Sequence, residues 1–209
     1  MRRPVRLALA GAAAALALGT LSLTHLPGRR GCVVSAVVTT FTDDRLKARA
    51  VAPDDAVIDR AATLAALLAP GDDAGRFDPA RGVEVEAWVA DVKVGGWEGV
   101  NCFALGAGDR DTHIDLARAP NAPDTAHVVA EVTPAWRDVM RARGVDWSTA
   151  ALRAALVGRR VRVRGWLYWD GHHADGSAHV DPADARGEPN WRATAWEIHP
   201  VTSIELLPF

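Results

Sequence analysis

The residues best suited to chemistry are acids and histidines that alternate along strand-like runs. Asp111, His113 and Asp115 stand two apart, Glu131 falls between Ala130 and Val132, and Glu197 and His199 flank Ile198. Alternation puts such residues on one face of a strand and Ile114, Leu116, Ala130, Val132, Trp196 and Ile198 on the other. Asp170, His172 and His173 follow directly on the run RVRVRGWLYW. Imidazoles combined with carboxylates suit Zn²⁺, Mn²⁺ or Fe²⁺. A metal so held activates water for hydrolysis; the same groups without metal make a His–Glu acid–base pair. The candidate metal ligands are Asp111, His113, Glu131, Asp170, His173, Glu197 and His199, and the candidate catalytic groups are Glu131, Glu197 and His199. No local motif such as His-Glu-x-x-His is present. Solvated strand faces, or ion pairs of Glu131 or Glu197 with Arg162 or Arg192, would use the same residues without any chemistry.

A second pattern lies on the stretch 160–169. Arg160, Arg162, Arg164, Trp166 and Tyr168 share one face, opposite Val161, Val163, Gly165, Leu167 and Trp169. Aromatic rings beside guanidinium groups can stack bases or sugars, which makes Arg164, Trp166 and Tyr168 candidate ligand-binding residues. The competing use is cross-strand pairing of the arginines with Glu84 and Glu86.

The elements that must position these groups follow from periodicity. Residues 83–94 alternate, but the apolar phase slips at Ala90, the signature of a β-bulge. Shorter strands are expected at 112–116 and 128–133, the latter stopped by Pro134. A helix is expected from Ser148 to Val157, closed by Gly158. A fourth strand covers 160–169 and a last one 194–206, interrupted at Pro200. Upstream, Val57, Ala61, Leu64 and Leu68 predict a helix over 53–68, and 71–82 reads as a loop. Three strands, a helix and two strands is the order of a five-stranded OB-like barrel, a mainly β fold with its helix between strands 3 and 4. In that barrel strand 3 lies between strands 2 and 5. Neighbouring strands are about 4.8 Å apart, so the acids and histidines can meet on one surface.

The N-terminus is of another kind. Arg2, Arg3 and Arg6 precede an uncharged run from Leu7 to Leu23, the pattern of a secretory signal or a retained membrane anchor. Ala17-Leu18-Gly19 and Val34-Ser35-Ala36 both offer small residues for cleavage. Arg29 stands where a lipoprotein signal before Cys32 needs an aliphatic residue. Export permits a Cys32–Cys102 disulfide without demanding one. The chain thus divides into a signal or anchor at 1–31, a helical extension and linker at 32–82, and the barrel at 83–209. The formal net charge of −2 hides this division. Residues 1–31 hold five arginines and no acid, leaving nineteen basic against twenty-six acidic residues in the remainder. An acidic domain argues against non-specific nucleic-acid binding, which relies on a basic surface.

The pieces GDRDTHIDL (108–116), VVAEVTP (128–134), GWLYWDGHH (165–173) and WEIHPVTSIEL (196–206) resemble a group of uncharacterised exported bacterial proteins with an OB-type core. The resemblance covers roughly the last 125 residues. It implies export and the barrel but no settled activity. A more distant likeness is to thermonuclease-type barrels. Asp109-Arg110-Asp111-Thr112 keeps the two acids of that family's calcium turn with Arg in place of Gly. Val132-Thr133-Pro134-Ala135 lacks the acids that follow that family's third strand, including its proposed base. The expected function is an envelope ligand-binding module for a small molecule, sugar or protein. The alternatives are a metal-dependent hydrolase or phosphodiesterase and a structural envelope protein. Any membrane contact would run through the N-terminal segment.

Overall fold

The computed structural model describes residues 45–208 apart from 72, 102, 103 and 186. The signal or anchor at 1–31 and the pairing of Cys32 with Cys102 lie outside the described residues. Among the described residues, no helix is long and apolar enough to cross a membrane.

Five strands close into a mixed barrel: β1 (Gly82–Val94), β2 (Thr112–Ala117), β3 (Val128–Val132), β4 (Arg160–Trp169) and β5 (Trp196–Leu206). Their order around the barrel is β1-β2-β3-β5-β4, and β4 pairs back onto β1. Among these five strands, only the β3–β5 pairing is parallel. The β-branched and aliphatic side chains of one strand face fill the interior: Val83, Val85, Val89, Val92, Ile114, Leu116, Val132, Val161, Val163, Leu167 and Ile198 are all buried. The phase slip at Ala90 is a register shift between Val89 and Asp91 in the β1–β2 ladder. It keeps both Val89 and Val92 inside while the strand bends.

Gly165 marks the second bend. The β4–β5 register shifts on either side of it. A Cβ there would collide with the Pro200 carbonyl and lie 2.7 Å from Ile198 Cγ2. Glycine is therefore what lets β5 cross β4 closely. β5 runs through Pro200 without interruption, and the His199–Pro200 peptide is cis.

The outer face of β4 pairs as the cross-strand reading expects. Glu84 is opposite Arg164 and Glu86 opposite Arg162. Arg162 bonds Glu86 and Glu205, each at 2.7 Å.

Among the described residues after 48, three short α-helices accompany the barrel. Ser148 caps the expected helix, here α3 (Thr149–Leu156), whose Leu152 and Leu156 join the core. An additional helix precedes it, α2 (Pro134–Ala142), capped by Thr133 with Pro134 in its first turn. Its Arg137 is buried and donates to Thr112 Oγ1 at 2.7 Å and to the Gly108 and Arg110 carbonyls. α2 thereby fastens the β1–β2 connection.

The helix expected over 53–68 is not continuous. A 3₁₀ turn spans Asp55–Val57, Ile58 forms a parallel bridge with Gly82, and only Leu64–Leu67 is α-helical (α1). The cause is local competition for backbone groups. Asp59 N–H donates to the Gly82 carbonyl at 2.8 Å, and Asp59 Oδ1 accepts from Ala61 N–H at 2.9 Å. Thr63 then starts a new turn by accepting from Ala66 N–H.

Candidate metal centre

The β2–β3 ladder sets His113 directly opposite Glu131. The parallel β3–β5 pair aligns Ala130 with Ile198, both facing inward and fully buried. Glu131, Glu197 and His199, one position away, therefore share the outer face. That face is not solvated: Asp111, Glu131, Glu197 and His199 are all buried. Tyr168 packs against His199 with ring centroids 5.6 Å apart, and the Lys47 ammonium lies over the Tyr168 ring. Gly95 lies so close to the His113 ring that a Cβ would sit 2.9 Å from it.

Glu131 is the hub. Its Oε1 is 2.5 Å from His113 Nε2, and its Oε2 is 2.5 Å from His199 Nδ1. On the far side of the ring, His199 Nε2 faces Asp111 Oδ2 across 3.9 Å. Among the described residues His199 Nε2 makes no hydrogen bond, and the one hydrogen-bonding side chain near Asp111 is the Asn101 amide. An orphaned polar atom at this depth is costly and rare, so it points to something that would complete it. Asp111, Glu131 and His199 each offer a ligand atom, and these lie within 4.8 Å of one another. Glu98, His113 and Glu131 form a second such group. Ligand atoms on one tetrahedral ion at Zn–N and Zn–O lengths are roughly 3.4 Å apart. Glu131 meets His199 at Nδ1 while Asp111 faces its Nε2, so an ion taking one ring nitrogen would need the carboxylate on the other nitrogen to swing towards it.

The electrostatics favour a cation. Burial pushes Asp111 up to about 6, with the Glu131 charge adding to the effect and His199 opposing it. Burial, Glu131 and Asp170 push Glu197 up to about 7. Burial alone would raise Glu131, but the adjoining imidazoliums of His113 and His199 outweigh it and hold Glu131 well below the ordinary carboxylate range. Burial would lower both histidines; the Glu131 charge reverses this, lifting His113 to about 9 and His199 to about 10. In metal-free protein, protons on the imidazoles thus supply positive charge that a divalent ion would replace.

Asp170 and His173, expected among the ligands, belong to a separate cluster. Arg192, fully buried, donates to Glu197 Oε1 at 2.5 Å, to Asp170 Oδ2 at 3.0 Å and to the His173 carbonyl at 2.6 Å. His173 Nδ1 lies 2.9 Å from Asp170 Oδ2. Burial would raise Asp170, but the His173 hydrogen bond and the Arg192 charge hold it well below its ordinary value. Charge sets this arrangement: a buried guanidinium needs counter-charges, and Asp170 and Glu197 supply them. Glu197 links the two clusters, its other oxygen 3.8 Å from His199 Nδ1. Asp115 is engaged elsewhere, 2.5 Å from Lys93 Nζ.

The Arg164–Trp166–Tyr168 stripe is covered by the chain itself. Trp166 Nε1 donates to the Val51 carbonyl at 2.8 Å, and the Arg49 guanidinium stacks 4.3 Å from the indole. Arg164 bonds the Pro53 carbonyl and Asp55, each at 2.7 Å. Tyr168 is buried. Residues 49–55 thus occupy the face expected to take a ligand. A pocket of about 210 Å³ lined by Leu68, Arg118, Ala122 and His179 includes none of the candidate residues.

Two members of the site had no motif to announce them. Glu98 lies in the β1–β2 connection, and Lys47 reaches it from before the barrel at 2.5 Å. The usable signal was composition: Lys47 is one of only two lysines in a chain with 22 arginines. The chain matches no protein-family model and no curated protein.

Proposed function

We propose that the chain is an exported protein with an OB-type barrel whose function is to hold a divalent transition metal at Asp111, Glu131 and His199. The OB assignment rests on the strand order β1-β2-β3-β5-β4 and on the helices between β3 and β4. Export rests on the basic, then apolar N-terminal sequence. The observation that carries the metal reading is the buried pair of ligand atoms Asp111 Oδ2 and His199 Nε2, 3.9 Å apart, with Glu131 on the other ring nitrogen of His199. One imidazole and two carboxylates suit Zn²⁺, Mn²⁺ or Fe²⁺ rather than Ca²⁺ or Cu⁺. Glu197, fixed by Arg192, is a positioning residue for His199 and not a ligand in this reading. When bound, the ion would supply Lewis acidity to a coordinated water or oxyanion. This narrows the expected binding module to one whose first ligand is a metal ion.

Chelator-stripped protein titrated with Zn²⁺ in a calorimeter tests it. Saturable binding of at least one ion is expected. Asp111→Asn and His199→Ala, both checked for fold by circular dichroism, should weaken it by tenfold or more. A wild-type trace with no saturable binding would overturn the proposal, as would folded variants that bind like wild type.

A further inference from the structure

We infer that the centre holds two divalent ions bridged by Glu131, the second bound by Glu98, His113 and Glu131. The inference rests on the first-ion reading and extends it. Glu131 sends one oxygen to each histidine, at 2.5 Å in both cases, so its carboxylate already spans two imidazoles on two different strands. Each half then offers the same set: one imidazole, one further carboxylate (Asp111 or Glu98) and one Glu131 oxygen. A carboxylate shared in this way fits two ions about 3.5–4 Å apart, the spacing of two-metal sites.

A cation is already present at the second position. Lys47 Nζ lies 2.5 Å from Glu98 Oε2. In the metal-free protein the carboxylates of Glu98, Asp111 and Glu131 face this ammonium and the imidazoles of His113 and His199. Loading a second ion therefore requires the ammonium to leave Glu98, and Lys47 is its competitor.

The two positions also differ in access. The side chains of Glu98 and His113 are 11% and 12% exposed, whereas Asp111, Glu131 and His199 are at most 2% exposed. The second ion is the solvent-side one, where water or an anionic ligand would arrive.

The test is Mn²⁺ loading of the full-length, chelator-stripped chain, with metal counted after gel filtration and electron paramagnetic resonance recorded on the same samples. Two Mn²⁺ per chain with an exchange-coupled spectrum is expected. Glu98→Gln should hold one Mn²⁺ with an uncoupled spectrum, and Lys47→Met should bind the second ion about tenfold more tightly. Saturation of wild type at one uncoupled Mn²⁺ would overturn the second ion and leave the first standing. Two uncoupled ions would overturn the shared bridge, and no bound ion would overturn both readings. Should Glu98→Gln fail to fold, Lys47→Met decides: a second-ion affinity unchanged or weakened would refute the competition at Glu98.

Discussion

Replacing Arg192 by methionine should be the most damaging single change to the support of the site. The guanidinium is fully buried and makes two charge-assisted bonds, to Glu197 at 2.5 Å and to Asp170 at 3.0 Å. Its removal strands both carboxylates in the interior. Breaking a buried pair from one side costs about 3–5 kcal/mol. For a domain of this size that is a fall in Tm of roughly 6–20 °C. The sign of the pH dependence follows from the carboxylates. Burial opposes ionisation of Asp170, but its partners His173 and Arg192 win and hold it below its ordinary value. Its contribution is therefore present above the unfolded-state pKa, about 3.9, and is lost as pH falls through the folded-state value. Without Arg192 both carboxylates rise further and take up protons in acid. Glu197, at about 7 in the intact protein, is mostly protonated in both forms at pH 5. The stability gap between wild type and variant should accordingly be widest at pH 8 and narrower at pH 5. Urea unfolding in the presence of chelator, followed by Trp fluorescence, measures this without interference from metal. Adding Asp170→Asn and Glu197→Gln to Arg192→Met should recover much of the loss, because no buried charge then remains unpaired. A gap below about 1 kcal/mol at pH 8, or one independent of pH, would refute the reasoning.

Gly165→Ala should destabilise the barrel by at least about 1–3 kcal/mol, since its Cβ would meet the Pro200 carbonyl and Ile198; a urea melt unchanged from wild type would contradict this. Zn²⁺ affinity should rise from pH 6 to pH 8, because His113 and His199 are lifted to about 9 and 10 and must release protons to bind. Calorimetry in buffers of different ionisation enthalpy would detect that release, and its absence would argue against imidazole ligands. Trp166→Ala removes the bond to the Val51 carbonyl and the Arg49 stack. Tryptic cleavage after Arg49 should then quicken several-fold, and an unchanged rate would show that the segment is held by other contacts.

Short-range periodicity made the barrel readable. The slip at Ala90 marks the β1 bulge, and the alternation over 160–169 gives the register that pairs Arg162 with Glu86 and Arg164 with Glu84. The same period-two logic gathered His113, Glu131 and His199, because strand partners inherit one another's faces. It also fixed the face of Trp166 and Tyr168, but not what lies on that face, which depends on residues 49–55 arriving from outside the barrel. The helix over 53–68 failed for a related reason. Its apolar spacing was sound, but a tertiary bridge from Ile58 to Gly82 took the backbone groups a helix needs. α2 was announced by Thr133-Pro134, a cap followed by a first-turn proline, a pattern that also serves as a strand stop. Arg192 was a named alternative partner for Glu197, but its capture of Asp170 and the His173 carbonyl comes from a loop closing on the barrel, which no spacing reveals. Glu98 and Lys47 belong to the same class, since their 2.5 Å contact joins residues 51 apart.

The most direct test of the metal reading is the thermal unfolding of chelator-stripped protein with and without added Zn²⁺. At a free concentration one hundred times Kd, binding to the native state alone adds about 2.7 kcal/mol, a rise in Tm of roughly 5–11 °C. Wild type should show this rise, and folded Asp111→Asn and His199→Ala should lose most of it, since both remove an arm of the 3.9 Å gap. A wild-type Tm that does not move with Zn²⁺, Mn²⁺ or Fe²⁺, or variants that gain as much as wild type, would contradict the account.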